Sequence, residues 1–162
     1  VIDAMEFVKT DVKLNLAGVF YDFNLLEKLK SSPGWSKVNY YGLVDRETVS
    51  KILSQSKVGI VTFLAVPNHV NSQPNKMFEY MSAGLPIITS NFQLWKDVVE
   101  GNDCGITVNP SSPKEIANAI DVLILNDSLA FKKGDKAKIA VIEKYNWGIE
   151  ENKLVEMYNS FI

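Results

Sequence analysis

The residues with the clearest capacity for chemistry lie in one stretch, residues 71–88, where a polar turn leads into a helix and then into an apolar segment. Pro74 suits the first position of that helix, and Gly84 ends it. The free N–H groups and the positive dipole end of a helix bind anions, and a diphosphate suits such a site. Lys76, in the first turn, is unfavourable for the dipole, so an anionic partner would relieve it. Glu79, one turn further on, can accept hydrogen bonds from sugar hydroxyls.

The elements that must position this helix alternate between strands and helices along the chain. Strands are predicted at residues 12–18, 38–42, 58–64, 85–89 and 105–108. The third and fourth are apolar almost throughout, as expected for strands that a parallel sheet buries on both faces. Residues 65–73 are predicted to be a loop. We therefore predict a single α/β domain over residues 1–162, with one parallel sheet and helices on both faces. Ligands gather at the carboxyl ends of such strands, where the helix at Pro74 begins.

Composition and charge exclude several classes of protein. Hydrophobic residues make up 46% and charged residues 22% of the 162, which is typical of a globular domain. The net charge of −2 gives no support to a nucleic-acid-binding module. The longest apolar run, residues 58–66, is too short to span a bilayer, which takes about 20 residues. One Cys and one His leave no internal disulfide and no Cys- or His-cluster metal site. We therefore predict no metal and favour a cytoplasmic location.

The residues around Glu79 occur in a specific order. Glu79 is followed by Met81-Ser82-Ala83-Gly84-Leu85-Pro86 and is preceded by Pro74-Asn75-Lys76 and Phe78. This order resembles the donor-binding motif of retaining glycosyltransferases with the GT-B fold, the large group that makes capsular and lipopolysaccharide sugars. Further segments match the group in the expected order, at residues 14–18, 41–44, 104–110 and 145–147. The resemblance therefore covers essentially the whole chain.

The resemblance implies a role for each matching residue. The chain would be the C-terminal, nucleotide-sugar-binding half of a two-domain enzyme, with a UDP- or GDP-sugar as donor and no metal or other cofactor. Glu79 would contact the ribose hydroxyls. Backbone amides at the helix start would hold the diphosphate, and a glycine turn would lie beside the base. The residues so implied are Pro74, Asn75, Lys76 and Met77 for the diphosphate, and Gly42, Leu43 and Val44 for the base. Asn71, Ser72 and Gln73 would face the donor sugar, with Asn71 standing where the group has its first Glu.

The resemblance also implies that this domain works with a second one. Because the chain opens inside a predicted amphipathic helix, we expect it to be a fragment whose Rossmann-like sheet lacks its first strand. We expect this fragment to be inactive on its own. The sheet should then show a gap or exposed edges near residues 12–18 and 58–64, and exposed edges favour self-association. A glycan or lipid-linked acceptor would be bound by the N-terminal half, and the leaving diphosphate would help to deprotonate it. A basic helical face is compatible with a peripheral position at the inner membrane surface; its members are Lys132, Lys133, Lys136 and Lys138.

Two other classes of function remain open from the residues. A nucleotide-sugar epimerase shares the GT-B architecture, although it usually relies on further carboxylates and His residues that this chain lacks. A non-catalytic α/β binding module would need no nucleotide at all. Binding of UDP, GDP and their sugars separates the last class from the first two.

Overall fold

The computed structural model describes residues 1–161, which form five strands, nine α-helices and one short 3-10 helix. The strands are β1 (Leu14–Ala17), β2 (Val38–Gly42), β3 (Gly59–Val61), β4 (Ile87–Ser90) and β5 (Gly105–Val108). The first helices are α1 (Ile2–Met5), α2 (Phe23–Lys30), α3 (Arg46–Gln55), α4 (Pro67–Val70) and α5 (Asn75–Ser82). They are followed by α6 (Gln93–Val99), α7 (Pro113–Leu125), α8 (Asp127–Glu143) and α9 (Trp147–Asn159), and the 3-10 helix spans Pro33–Lys37.

The five strands lie at the predicted positions but form two sheets. β1 pairs with β2, and β3, β4 and β5 pair in that order, with every pair parallel. The prediction of an α/β domain with parallel strands is confirmed, whereas the prediction that all five strands share one sheet is wrong. Across residues 1–161 no strand bridges β1 and β3, so the break falls where a gap was expected. A groove separates the two sheets there.

The core lies on both faces of the three-stranded sheet. Successive side chains of a strand point to opposite faces, and Ile87 and Ile88 of the central strand, both fully buried, belong to different clusters. Ile87 packs with residues from α5, α6 and α8, among them Met77, Met81 and Trp95. Ile88 packs with α1 and α7. The helices α2, α3 and α9 contribute no buried residue, so the core is centred on the sheet of β3, β4 and β5.

Helix ends follow the local sequence signals. The Asp45 carboxylate accepts the Thr48 amide at 2.8 Å at the start of α3, and the Ser112 hydroxyl accepts an amide in the first turn of α7. Gly84 adopts a φ of +73° just after α5, a conformation that glycine takes without strain. Its carbonyl lies so close to Gly134 of α8 that a Cβ there would overlap it, which fixes the distance between the two helices.

Three sequence-based predictions about the elements need correction. The first helix ends at Met5 rather than continuing through residues 8 and 9, because the Lys9 amide donates to the Asp121 carboxylate at 3.0 Å. The stretch 65–73, predicted to be a loop, contains the short helix α4. The third strand keeps only the ladder of Gly59–Val61, because the chain beyond it turns away to enter α4.

Candidate functional site

The start of α5 offers two backbone donors rather than four. Pro74 is the N-cap and not the first helical residue, and it has no N–H to donate. The Met77 amide donates to the Pro74 carbonyl at 3.0 Å, and the Met77 side chain is fully buried. Within residues 1–161 the amides of Asn75 and Lys76 have no acceptor. The contact of residues 74–77 with a diphosphate stays a prediction, in which Asn75 and Lys76 form the available pair of amides because the Met77 amide is engaged and Pro74 has none.

Lys76 lines a cavity of about 450 Å³ at the carboxyl end of β1. Ala17 and Phe20 approach the cavity from the side of β1, and Tyr80 lines it from α5, one turn beyond Lys76. The Lys76 ammonium makes no hydrogen bond or ion pair to another described residue. Burial, together with the charge of Glu79, raises the pKa of Tyr80, so its phenol stays neutral. The cavity therefore presents the Lys76 ammonium and a neutral aromatic ring, together with the Asp3 carboxylate, and the two free amides lie at the start of the same helix.

A second cavity of about 460 Å³ continues the groove toward the amino ends of the strands. It is lined by residues that precede β1 and β3, such as Val12 and Val58, and it shares Leu14, Ile60 and Tyr80 with the first cavity. Each cavity lies within the range of about 300–1,000 Å³ that is usual for small-molecule sites.

Glu79 lies on the outward face of α5. The residues two positions on either side of it, Met77 and Met81, are buried in the core, whereas Glu79 itself is exposed. No group within the described part of the chain donates a hydrogen bond or forms an ion pair to its carboxylate, which also lies outside the lining of both cavities. Within the described residues, the Glu79 carboxylate therefore makes no polar contact that stabilises the fold.

The turn of Gly42, Leu43 and Val44 lies at the carboxyl end of β2. Gly42 has a φ of +65°, and its carbonyl accepts the Gly18 amide at 2.7 Å. Leu43 is 81% exposed. β2 pairs with β1, and none of the three turn residues lines either cavity of the groove. The structure therefore brings Lys76 to the groove but keeps the 42–44 turn one strand away.

Residues 71–73 connect α4 to α5 and lie at the entrance to the helix. Asn71 and Gln73 are exposed. The Ser72 carbonyl accepts the indole N–H of Trp95 at 2.6 Å, and Trp95 is fully buried. The link between Trp95 and Ser72 spans 23 residues. No local spacing in the sequence could have revealed it.

The basic face of α8 is partly neutralised. Lys133 and Lys136 each contact the Asp103 carboxylate at 2.7 Å. Hydrogen bonding from Lys133, then from Lys136, lowers the pKa of Asp103 far below its ordinary value. In residues 1–161, no group of three or more His, Cys, Asp or Glu is arranged to hold a metal ion. None of the helices in that range is long and apolar enough to cross a membrane.

The comparisons with known proteins agree with this architecture. The sequence model of the family described as "Glycosyl transferases group 1" matches residues 1–126. The chain therefore belongs to the glycosyl transferases group 1 family, and its α/β fold with parallel strands is that of the C-terminal half of GT-B glycosyltransferases.

Individual relatives share the fold at low sequence identity. An uncharacterized glycosyltransferase of Methanocaldococcus jannaschii is 25% identical over 146 residues, which are 90% of this chain and 36% of that protein. The capsular polysaccharide biosynthesis glycosyltransferase CapM of Staphylococcus aureus is 30% identical over 96 residues, 59% of this chain and 25% of CapM. Anabaena HepE, solved in complex with UDP and glucose, superposes with a TM-score of 0.80 at 17% identity, over 98% of this chain and 43% of HepE. The chain thus spans less than half the length of these proteins.

Proposed function

We propose that the chain is the nucleotide-sugar-binding domain of a glycosyltransferase. The enzyme moves a sugar from a UDP- or GDP-sugar to a glycan or lipid-linked acceptor, with retention of configuration at the transferred carbon. Family membership supports glycosyl transfer, and the relative CapM is a capsular polysaccharide enzyme by name, which supports a glycan acceptor. The acceptor is bound by a part of the enzyme outside this chain.

The observation that carries the proposal is the cluster of unused positive groups at the start of α5. The Lys76 ammonium lines the cavity at the carboxyl end of β1, and the amides of Asn75 and Lys76 are free at the positive end of the helix dipole. A diphosphate carries enough negative charge to use all three groups. Binding there also stabilises the diphosphate as a leaving group, because donors that are already in place strengthen their interaction as charge develops.

The remaining contacts follow from where the other residues lie. Glu79 binds the ribose hydroxyls with its unengaged carboxylate. A nucleotide that is bound at α5 extends past the carboxyl end of β1. Its base then contacts the turn of Gly42, Leu43 and Val44. Residues 71–73 face the donor sugar. The positive charge supplied by α5 and Lys76 takes the place that a metal ion has in other nucleotide-sugar enzymes, so we propose that no metal is required.

We place the enzyme in the cytoplasm, where nucleotide sugars are available, and at the inner membrane face when its acceptor is lipid-linked. Because Asp103 already engages two lysines of the basic helical face, Lys132 and Lys138 are the members of that face left to contact anionic lipid.

Titration of the ¹⁵N-labelled chain with UDP, GDP, UDP-glucose and GDP-mannose tests the proposal. We expect saturable shifts in the amide signals of Asn75 and Lys76 with at least one nucleotide, and no equivalent shifts with uridine or guanosine, which lack the diphosphate. UDP is the first ligand to use, since HepE was solved with UDP and glucose. A chain that binds none of the four compounds at millimolar concentration is a non-catalytic module, and the proposal is then wrong.

We also propose that two copies of this chain associate through the strand edges beside the groove. Among the described residues β1 pairs on one side only, with β2, and β3 pairs on one side only, with β4. Such unpaired edges form ladders with other strands. Sedimentation velocity should show a dimer whose fraction increases with concentration. A single monomeric species up to several hundred micromolar would contradict the association without affecting the donor site.

A further inference from the structure

We infer that Trp95 is the positioning residue for the turn that carries residues 71–73 and the start of α5. The inference rests on the proposed function in one respect, namely that this turn and Lys76 face the donor. Trp95 itself is fully buried and does not face the groove, so it acts through the turn and not on the substrate.

Trp95 contacts both ends of the segment that leaves β3 and returns to α5. Its ring packs edge-on against Phe63 at the beginning of the segment, with 5.6 Å between ring centroids. Its indole N–H donates to the Ser72 carbonyl near the end of the segment, at 2.6 Å. A single side chain on α6 therefore fixes the separation between the strand end and the helix start.

The beginning of the segment is held a second time from β4. The buried Ser90 hydroxyl accepts the Phe63 amide at 2.9 Å and donates to the Phe63 carbonyl at 2.8 Å. Through the Ser90 side chain, this double contact extends the pairing of β3 with β4 beyond its last backbone pair, Val61 with Thr89. The Phe63 end of the segment is therefore anchored independently of Trp95, whereas the Ser72 end depends on the indole.

Contacts inside the segment transmit this restraint. The His69 ring packs on Phe63 at 4.7 Å between centroids, its Nδ1 lies 3.0 Å from the Leu64 carbonyl, and the Ser72 hydroxyl donates to the His69 carbonyl at 3.0 Å. Ser72 is separated from the N-cap Pro74 by one residue. Consecutive Cα atoms are about 3.8 Å apart, so displacement of Ser72 displaces the first turn of α5 and its two free amides.

The test removes the indole N–H and keeps the ring. Replacement of Trp95 by β-(3-benzothienyl)alanine puts sulfur in place of the N–H with nearly unchanged shape, and Trp95→Phe provides the genetically encoded version. Trp35→Phe is the matched control, because Trp35 packs on Tyr40 and its indole N–H has no acceptor among the described residues. The readouts are amide hydrogen exchange of residues 71–76, the indole N–H signal during nucleotide titration, and the affinity for UDP or GDP.

We expect amide hydrogens of residues 71–76 to exchange faster in the benzothienyl variant. We also expect this variant to bind nucleotide about twofold to tenfold more weakly, because that factor corresponds to the free energy of one neutral hydrogen bond. In the wild type, the Trp95 indole signal should shift when nucleotide binds, while the Trp35 signal stays in place. Unchanged exchange and unchanged affinity in the benzothienyl variant would overturn the inference. If the wild type binds no nucleotide, the proposed function fails, and hydrogen exchange alone still decides whether Trp95 positions the turn.

Discussion

Asp121 is a buried carboxylate whose removal should destabilise the domain strongly. It lies on the inward face of α7 and is 7% exposed. Its oxygens accept the amides of Lys9 and Thr10 at 3.0 and 3.1 Å, and the Thr10 hydroxyl at 2.8 Å. These bonds join residues more than 110 positions apart and hold the chain between α1 and β1 against α7.

The Asp121→Ala change leaves three donors without their acceptor. A hydrogen bond to a charged group contributes about 1.5–3 kcal/mol, but water can reach these partly buried donors and replace some of that contribution. We therefore expect a loss of about 2–4 kcal/mol in the free energy of unfolding. For a domain of this size, each kcal/mol lowers Tm by about 2–4 °C, so Tm should fall by about 4–16 °C.

Thermal unfolding followed by circular dichroism measures this effect, with Asp135→Ala as control. Asp135 also lies inside a helix, is exposed and makes no ion pair or hydrogen bond with the described residues, so its replacement should change the free energy of unfolding by less than about 0.5 kcal/mol. The two substitutions remove the same group from the same kind of element. Equal Tm values for the two variants would refute the structural role given to Asp121.

The contribution of Asp121 should also depend on pH in a defined direction. Burial acts to raise the pKa of Asp121, but the hydrogen bonds from Lys9 and Thr10 outweigh burial, so the pKa lies below its ordinary value of 3.8. A carboxyl group with a lowered folded-state pKa stabilises the fold above the ordinary pKa, and that stabilisation is lost as the pH falls through the folded value. The difference in unfolding free energy between wild type and Asp121→Asn should be constant above the ordinary pKa and shrink below it. A difference that grows on acidification would contradict this sign.

Two further predictions concern buried positions. Burial raises the pKa of the Cys104 thiol to about 11, so the native protein should not react with a thiol reagent at pH 8 until it unfolds; rapid reaction of the folded protein would disprove this. Gly134→Ala should destabilise the domain by about 1–3 kcal/mol in chemical denaturation, although alanine favours helices, because the added Cβ meets the Gly84 carbonyl. A stabilised Gly134→Ala variant would show that the contact between α5 and α8 is looser than described.

Much of the fold could be predicted from the sequence because its signals are local. Asp45, Ser112 and Gly84 act within one turn of the residues that they cap or terminate. The apolar stretches at residues 58–64 and 85–89 likewise indicate strands covered on both faces. Local signals also located α5 and its lysine, since Pro74 precedes the helix and Gly84 follows its end.

The features that sequence reasoning missed depend on contacts between distant residues. The early end of α1 results from Asp121, more than 110 positions away, and the restraint on Ser72 comes from Trp95. A proline supplies no amide at any helix position, and the engagement of the Met77 amide by the Pro74 carbonyl depends on where the helix begins, which the sequence located only to within one residue. The gap between β1 and β3 was predicted from the resemblance, but the complete separation into two sheets depends on how these two strands are spaced, which no periodicity reports.

The comparison of Glu79→Ala with Glu151→Ala tests the central claim, that the start of α5 is a nucleotide site, most directly. Both glutamates are exposed helical residues without a hydrogen-bonding partner among residues 1–161, so both variants should keep the wild-type Tm. Calorimetric or NMR titration with UDP and GDP measures the affinity of both variants. Glu79→Ala should bind about tenfold to a hundredfold more weakly than the wild type, because it loses a charge-assisted hydrogen bond of about 1.5–3 kcal/mol. Glu151→Ala should bind like the wild type. If Glu79→Ala unfolds the domain and nucleotide shifts no signal in residues 71–79, Glu79 is a structural residue and the claim is wrong.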